Sequence, residues 1–256
     1  MDIAEHITAV GLEGKQFAAA ARQSNLDAEV THCPGWTVRD LVRHLGEIHL
    51  WAAAHVAQPH DKPWVEDVSE LAAFWPDLAV FWPDDSDLID WYLETNANLV
   101  HALESAPPDV DSFTFLPAPS PLAMWARRQA HETAIHRFDA EYAAGEASSF
   151  DPVFASDGID EMLAGFAPRK DEFPVEVPQV VAVDTSDTAD TWSVTLRPDG
   201  VTTSREHSTS DLNITGAASD LYLMLWNRGR DDEIETTGDT GLLDLWHANV
   251  RVRWTT

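Results

Sequence analysis

His44, Glu132 and His136 are the residues of this chain whose types and spacing could do chemistry. Together they offer two imidazole nitrogens and a carboxylate oxygen, a donor set for a divalent metal. In Glu132-Thr-Ala-Ile-His136 the two donors stand four positions apart, so on a helix both point the same way about one turn apart. Two histidines and one carboxylate leave a tetrahedral ion one ligand short. That open position is what a catalytic site needs for water, a thiol or a substrate. Spacing alone is a weak signal, because Glu-x-x-x-His occurs on many solvated helix faces. The face that carries it, Trp125, Gln129, Glu132, His136 and Asp139, is mostly polar.

The elements that must position these residues read as helices. From Ile3 to about Ala21 the apolar residues recur at three and four, as in an amphipathic helix. Cys33-Pro-Gly-Trp-Thr-Val-Arg-Asp then forms a turn that feeds a second helix, with Thr37 as N-cap and Asp40 completing a capping box. That helix runs to about Val56, and its apolar stripe, Leu41, Leu45, Ile48 and Ala52, contains His44. A histidine on a core-facing stripe needs a partner, since a buried polar ring without one is costly. Glu47, one turn on, could accept from it and fix its tautomer, whereas His49 and His131 fall on other faces. A third helix runs from about Asp87 to Ser105. A fourth covers Pro121 to Ala144, carries Glu132 and His136, and stops at Gly145. The intervening residues 58–87 are rich in Pro, Trp and Asp, with Phe-Trp-Pro-Asp at Phe74 and again at Phe81. They read as a long connection with a short helix inside, either a lid or a crossover whose aromatics fill the core.

Beyond Gly145 the pattern changes. A short helix near Ala155 to Ala164 precedes period-two segments at Val177–Val183, Thr191–Arg197 and Val201–Glu206, the last two joined by a Pro198-Asp-Gly hairpin signal. Strand Leu212–Thr215, helix Ala217–Asn227, strand Glu233–Thr237 and helix Leu242–Val250 follow. The expected division is a helical domain over 1–148 and a smaller mixed α/β domain over 149–256, an α plus α/β chain.

Competing chemistries fare worse. There is no Gly-x-Ser-x-Gly elbow and no Gly-rich phosphate loop. The single cysteine, Cys33, precedes a helix N-terminus, yet its place before Pro34-Gly35 reads better as a buried structural thiol. Arg127 and Arg128 read as a surface pair. Arg228 reads as a cationic cap at the end of its helix.

Composition narrows the partners. Sixteen basic against 44 acidic residues give a net charge of −28, which repels phosphate backbones and anionic lipid. Nucleic acid and membrane surfaces are therefore not expected as partners. No run reaches the roughly 20 apolar residues of a membrane span, and the start lacks the basic and apolar regions of a signal peptide. One cysteine excludes an intramolecular disulfide, so a cytoplasmic protein is expected.

The run Cys33-Pro-Gly-Trp-Thr-Val-Arg-Asp-Leu-Val-Arg-His44-Leu-Gly and the run Arg127-Arg-Gln-Ala-His-Glu132-Thr-Ala-Ile-His136-Arg-Phe-Asp-Ala-Glu141 resemble the mycothiol-dependent maleylpyruvate isomerase family. The second half, with Ala217-Ala-Ser-Asp-Leu-Tyr-Leu-Met-Leu-Trp-Asn-Arg228, is similar to that family's C-terminal domain. The resemblance implies a DinB-like four-helix bundle followed by a smaller SCP2-like α/β domain. It implies metal ligands at His44, Glu132 and His136, with Zn²⁺ as the expected ion, and a catalytic arginine at Arg228. It also implies mycothiol or a similar low-molecular-weight thiol as cofactor, which suits a chain with one cysteine. Asn227 stands where many relatives have Gly, and Glu47 and Leu50 where basic residues are common; these departures bear on the substrate.

The implied activity is that of a metal- and thiol-dependent cis-trans isomerase or thiol S-transferase acting on a small electrophile. Two other readings use the same residues. One is a non-catalytic metal-stabilised protein that binds a hydrophobic ligand in its second half. The other is a metal-dependent hydrolase with Glu47 as its nearest base.

Overall fold

Among the described residues, four helices, three of them with a capping side chain at the start, build the first half of the computed structural model, which describes residues 1–58, 81–146, 148–229 and 231–251. Helix α1 (Ile3–Gln23) opens on a capping box: the Asp2 carboxylate accepts from the Glu5 amide at 2.8 Å, and the Asp2 amide donates to Glu5 Oε2 at 2.7 Å. Helix α2 (Val38–Ala57) starts the same way, with the Thr37 amide donating to Asp40 Oδ2 at 2.9 Å. Each box satisfies amides that a helix start leaves unbonded. The Cys33-Pro-Gly-Trp turn before α2 is closed by Trp36 N donating to Cys33 O at 3.0 Å and Val30 N to Trp36 O at 2.9 Å. This fixes Cys33 and Trp36 one step from the helix that carries His44.

Helix α3 (Leu88–Ser105) packs on α1 and α2, and helix α4 (Pro121–Ala143) packs chiefly on α1 and also on α2. A Cβ added at Gly46 would lie 2.3 Å from the Trp91 ring, so glycine is what lets α2 and α3 approach this closely. Helix α4 begins at Ser120, whose hydroxyl accepts from the Ala123 amide at 3.2 Å, and Pro121 takes the first helical position, where no amide is needed. Gly145, at φ +82°, ends it as the sequence predicts. Almost every residue of α4 from Leu122 to Ala140 is buried, charged ones included. Their charges are balanced in place, as where the Arg137 guanidinium lies 2.9 Å from Glu13. Burial still pushes the Glu13 carboxyl up to about 7, with Arg137 opposing and Glu141 reinforcing.

Residues 59–80 lie outside the described residues, and with them most of the connection expected over 58–87 and its lid reading. Its last residues are held against α2. The Arg43 guanidinium sits 4.7 Å from the centre of the Trp82 ring, and Arg39 pairs with Asp85 at 2.9 Å.

The chain divides into two compact units at Ser148/Ser149. In the second, helix α5 (Pro152–Asp160) continues through a wider π-helical stretch to Phe166 and a tight turn to Arg169. It starts three residues before the sequence expectation, because Asp151 caps the Val153 and Phe154 amides and Pro152 occupies the first position. Strands β1 (Gln179–Thr185), β2 (Thr191–Arg197), β3 (Gly200–Ser204), β4 (Leu212–Gly216) and β5 (Glu235–Gly238) form one sheet in the order β3-β2-β1-β4-β5. Only β1 and β4 run parallel. The β2–β3 hairpin turns at Pro198-Asp199, with Arg197 facing Gly200. Strand β1 begins two residues later than expected, beyond Pro178, which has no amide to donate.

Helix α6 (Ala218–Leu225) ends in a left-handed residue, Asn227 at φ +60°. The Asn227 amide donates to Met224 O and the Arg228 amide to Leu223 O, the paired bonds of a Schellman motif. The Asn227 side chain also donates to Val250 O at 2.9 Å and meets His247 Nδ1 at 2.7 Å, tying the turn to helix α7 (Gly241–Asn249). Leu242, Leu243 and Trp246 of α7 cover Val181, Val183, Leu212 and Ile214 of the sheet. The space left in that layer is about 10 Å³, room for no more than about one water. An apolar ligand does not fit there. Among the described residues no helix is long and apolar enough to cross a membrane.

Candidate metal centre

Glu132 and His136 face the same way from α4, and His44 meets them from α2. Glu132 Oε1 lies 3.4 Å from His44 Nε2 and 3.3 Å from His136 Nε2. Bonds of about 2.0–2.1 Å in tetrahedral geometry place neighbouring donors about 3.3–3.4 Å apart. Two of the three donor spacings match that geometry, and all three donor atoms lie within 4.8 Å of one another. The site is buried, with relative exposures of 9% for His44, 3% for Glu132 and 0% for His136. Trp36 forms one wall, its ring centre 4.8 Å from that of His44 and stacked 6.5 Å from that of His136.

The surroundings set the charge state. Arg128, one turn before Glu132, donates to Glu132 Oε2 at 2.9 Å, which leaves Oε1 turned toward the histidines. Arg128 is 3% exposed, so the surface pair expected at 127–128 is corrected at its second member: its guanidinium is spent inside, on the candidate ligand. Burial would raise the Glu132 carboxyl, but His136, His44 and Arg128 outweigh it and hold the group well below the usual carboxylate range. Burial lowers His44, with Glu132 opposing, so this ring is neutral near pH 7. Burial would lower His136 too, yet Asp139, Cys33 and Glu132 together carry it well above the ordinary imidazole value. Glu132 is thus held as the anion of the cluster and His136 as its cation.

Behind His136, its Nδ1 lies 3.0 Å from Asp139 Oδ2. The Cys33 thiol donates to that same oxygen at 3.5 Å, and His32 Nδ1 lies 3.4 Å from Oδ1. Cys33 is buried, as expected of a structural thiol.

Residues 9–141 match the family model described as the mycothiol maleylpyruvate isomerase N-terminal domain, and residues 154–245 match the MDMPI C-terminal domain. The chain belongs to the mycothiol maleylpyruvate isomerase family. The crystal structure of a mycothiol-dependent maleylpyruvate isomerase shares the fold at TM-score 0.61 and 16% identity, over 93% of each chain. A histidine-to-alanine mutant of that isomerase aligns equally well, at TM-score 0.61 and 15% identity over 93% of each chain. No curated protein sequence matches.

Within this member of the isomerase family the other sequence candidates scatter. Glu47 faces Trp82 and Arg43, and the carboxylate beside His44 is Glu132. His49 is fully buried on Thr133, Nε2 to Oγ1 at 3.0 Å, and burial pushes it down to about 3. His131 is fully buried with its ring centre 6.1 Å from that of His6. Arg228 belongs to the second unit, 8% exposed, with Nη1 donating to Trp226 O at 2.9 Å. Sequence reasoning passed over Arg128, Asp139, Trp36 and His32 as neighbours of the candidate ligands. The first two carried a signal, four before Glu132 and three after His136 on one helix face.

Proposed function

We propose that the protein is a divalent-metal enzyme that uses a low-molecular-weight thiol to isomerise, or to transfer sulfur onto, a small electrophile in the cytoplasm. The observation that carries this reading is the buried cluster of two imidazole nitrogens, each 3.3–3.4 Å from one carboxylate oxygen, in a chain that belongs to a family named for mycothiol and maleylpyruvate. The donors suit Zn²⁺. A divalent metal bound there supplies a Lewis acid at which an added thiol loses its proton near neutral pH.

This chain's residues do the rest. His44 offers a neutral nitrogen, Glu132 supplies one negative charge, and Arg128 prevents that carboxylate from turning both oxygens to the ion. Trp36 excludes water from one side. The resemblance implies a catalytic role for Arg228 of the second unit, whose guanidinium suits a carboxylate or an oxyanion. An isomerase outcome returns the thiol unchanged, and a transferase outcome consumes it. Assays of the zinc-loaded protein with maleylpyruvate and a panel of small electrophiles, each with mycothiol, glutathione or no thiol, distinguish the two. Turnover is expected only with thiol present and is expected to persist in Cys33→Ser, whose hydroxyl keeps the donor to Asp139. Thiol-independent turnover that disappears in Cys33→Ser would instead make the nucleophile the protein's own.

Metal affinity carries a pH signature. His136 is protonated well above the ordinary imidazole range when no ion is bound, and a metal must displace that proton. Raising the pH removes the competitor, so affinity rises with pH by about tenfold per unit, with about one proton released per ion. Chelator competition across pH 6 to 8, values about which the ordinary histidine titrates, measures the slope. A flat profile would contradict the charge states given above.

A further inference from the structure

His136 belongs to two groups of potential ligands. One contains His44 and Glu132, and the other contains Cys33 and Asp139. A single ring does not ordinarily serve both. Its Nε2 lies 3.3 Å from Glu132 Oε1 and its Nδ1 lies 3.0 Å from Asp139 Oδ2. A neutral imidazole has one N–H and one lone pair, so a metal on either nitrogen leaves a proton on the other. A proton on Nδ1 meets an acceptor in Asp139. A proton on Nε2 would lie between the histidines and carboxylate that form the better-spaced cluster.

Two further neighbours of Asp139 stand beside its carboxylate, Cys33 and His32. The carboxylate is 1% exposed, and a buried carboxylate without donors is costly. Here Oδ2 accepts from Cys33 as well as facing His136, while Oδ1 faces His32. Cys33 and His136 thus converge on the Asp139 carboxylate, the arrangement of a support for the His136 ring.

We propose that Asp139 is the positioning residue of the metal centre: its carboxylate holds His136 as the Nδ1–H tautomer and aims the Nε2 lone pair at the point shared with His44 and Glu132. This rests on the metal reading of those three residues. The Trp36 ring lies near the same ring, its centre 6.5 Å away and its plane inclined by 25°.

Asp139→Asn tests it with little change in size. The amide oxygen still accepts from Nδ1–H, but without charge, and the amide nitrogen can donate to Nδ1 and stabilise the opposite tautomer. Zinc affinity, measured by chelator competition at one fixed pH, is expected to fall about 10- to 100-fold, with the helical circular dichroism retained. In ¹⁵N spectra of the zinc-loaded wild type, His136 is expected to carry its proton on Nδ1, a readout that needs no variant to fold. Wild-type affinity in Asp139→Asn, or a proton on Nε2 in the zinc-loaded wild type, overturns the positioning role. A wild type that takes up no metal removes the metal reading itself, and the positioning role with it.

Discussion

Alanine at position 44 is expected to leave the protein without its metal and with its helices intact. His44 is the only member of the three contributed by α2, and its Nε2 stands 3.4 Å from Glu132 Oε1. Removing it leaves two donors from one helix, and losing a direct ligand should exceed the roughly 10- to 100-fold loss that follows an outer-shell change. The fold has little reason to fail. Leu41, Leu45 and Ala52 on the same helix are fully buried, and Glu132 keeps His136 and Arg128 as partners. Loss of one hydrogen-bond partner from a buried site amounts to about 1–3 kcal/mol. Elemental analysis after gel filtration, beside far-ultraviolet circular dichroism, reads both halves of this expectation. Close to one metal per chain in the variant would remove His44 from the ligand set, and collapse of the helical signal would make it a core residue.

Arg128→Ala is expected to have the larger effect on stability. Its guanidinium and the Glu132 carboxylate are both about 3% exposed and meet at 2.9 Å. Breaking a buried ion pair by removing one partner strands the other charge, at about 3–5 kcal/mol. The loss should be greatest in metal-free protein, where His136 remains as the cation beside Glu132. Zinc should restore part of it, because the ion supplies positive charge on the other carboxylate oxygen. Urea unfolding of metal-free and zinc-loaded protein, wild type and variant, gives the four free energies required. A metal-free loss under about 1 kcal/mol, the range of exposed pairs, would mean that Arg128 is not the counter-charge of a buried ligand.

Much of this molecule was legible in its sequence where local chemistry decides. Thr37 with Asp40 marked the start of α2, Gly145 marked the end of α4, and the stripe of Leu41, Leu45 and Ala52 turned His44 inward. Helix α4 was harder to read because periodicity reveals a face only when another face is wet. Nearly all of α4 is inside, so its polar residues looked solvated when they are paired with one another. Arg128 was misread for that reason, since a guanidinium is buried only when a carboxylate such as Glu132 comes with it. Asp139 stayed unassigned because its partners Cys33 and His32 are about a hundred positions away, joined to it by the turn before α2. The early start of α5 was present in Asp151-Pro152, a cap followed by a proline, and the shifted start of β1 in Pro178.

The asparagine that ends α6 sets two preferences against each other. A left-handed backbone favours glycine, which adopts it without a steric penalty. Glycine, however, has no amide to reach Val250 and His247. At this position the chain accepts local strain in exchange for a clasp on its last helix, the helix that roofs the apolar face of the sheet. The cohesion of the second half is thus lodged partly in one amide side chain, carried by the residue that after glycine best tolerates the left-handed turn.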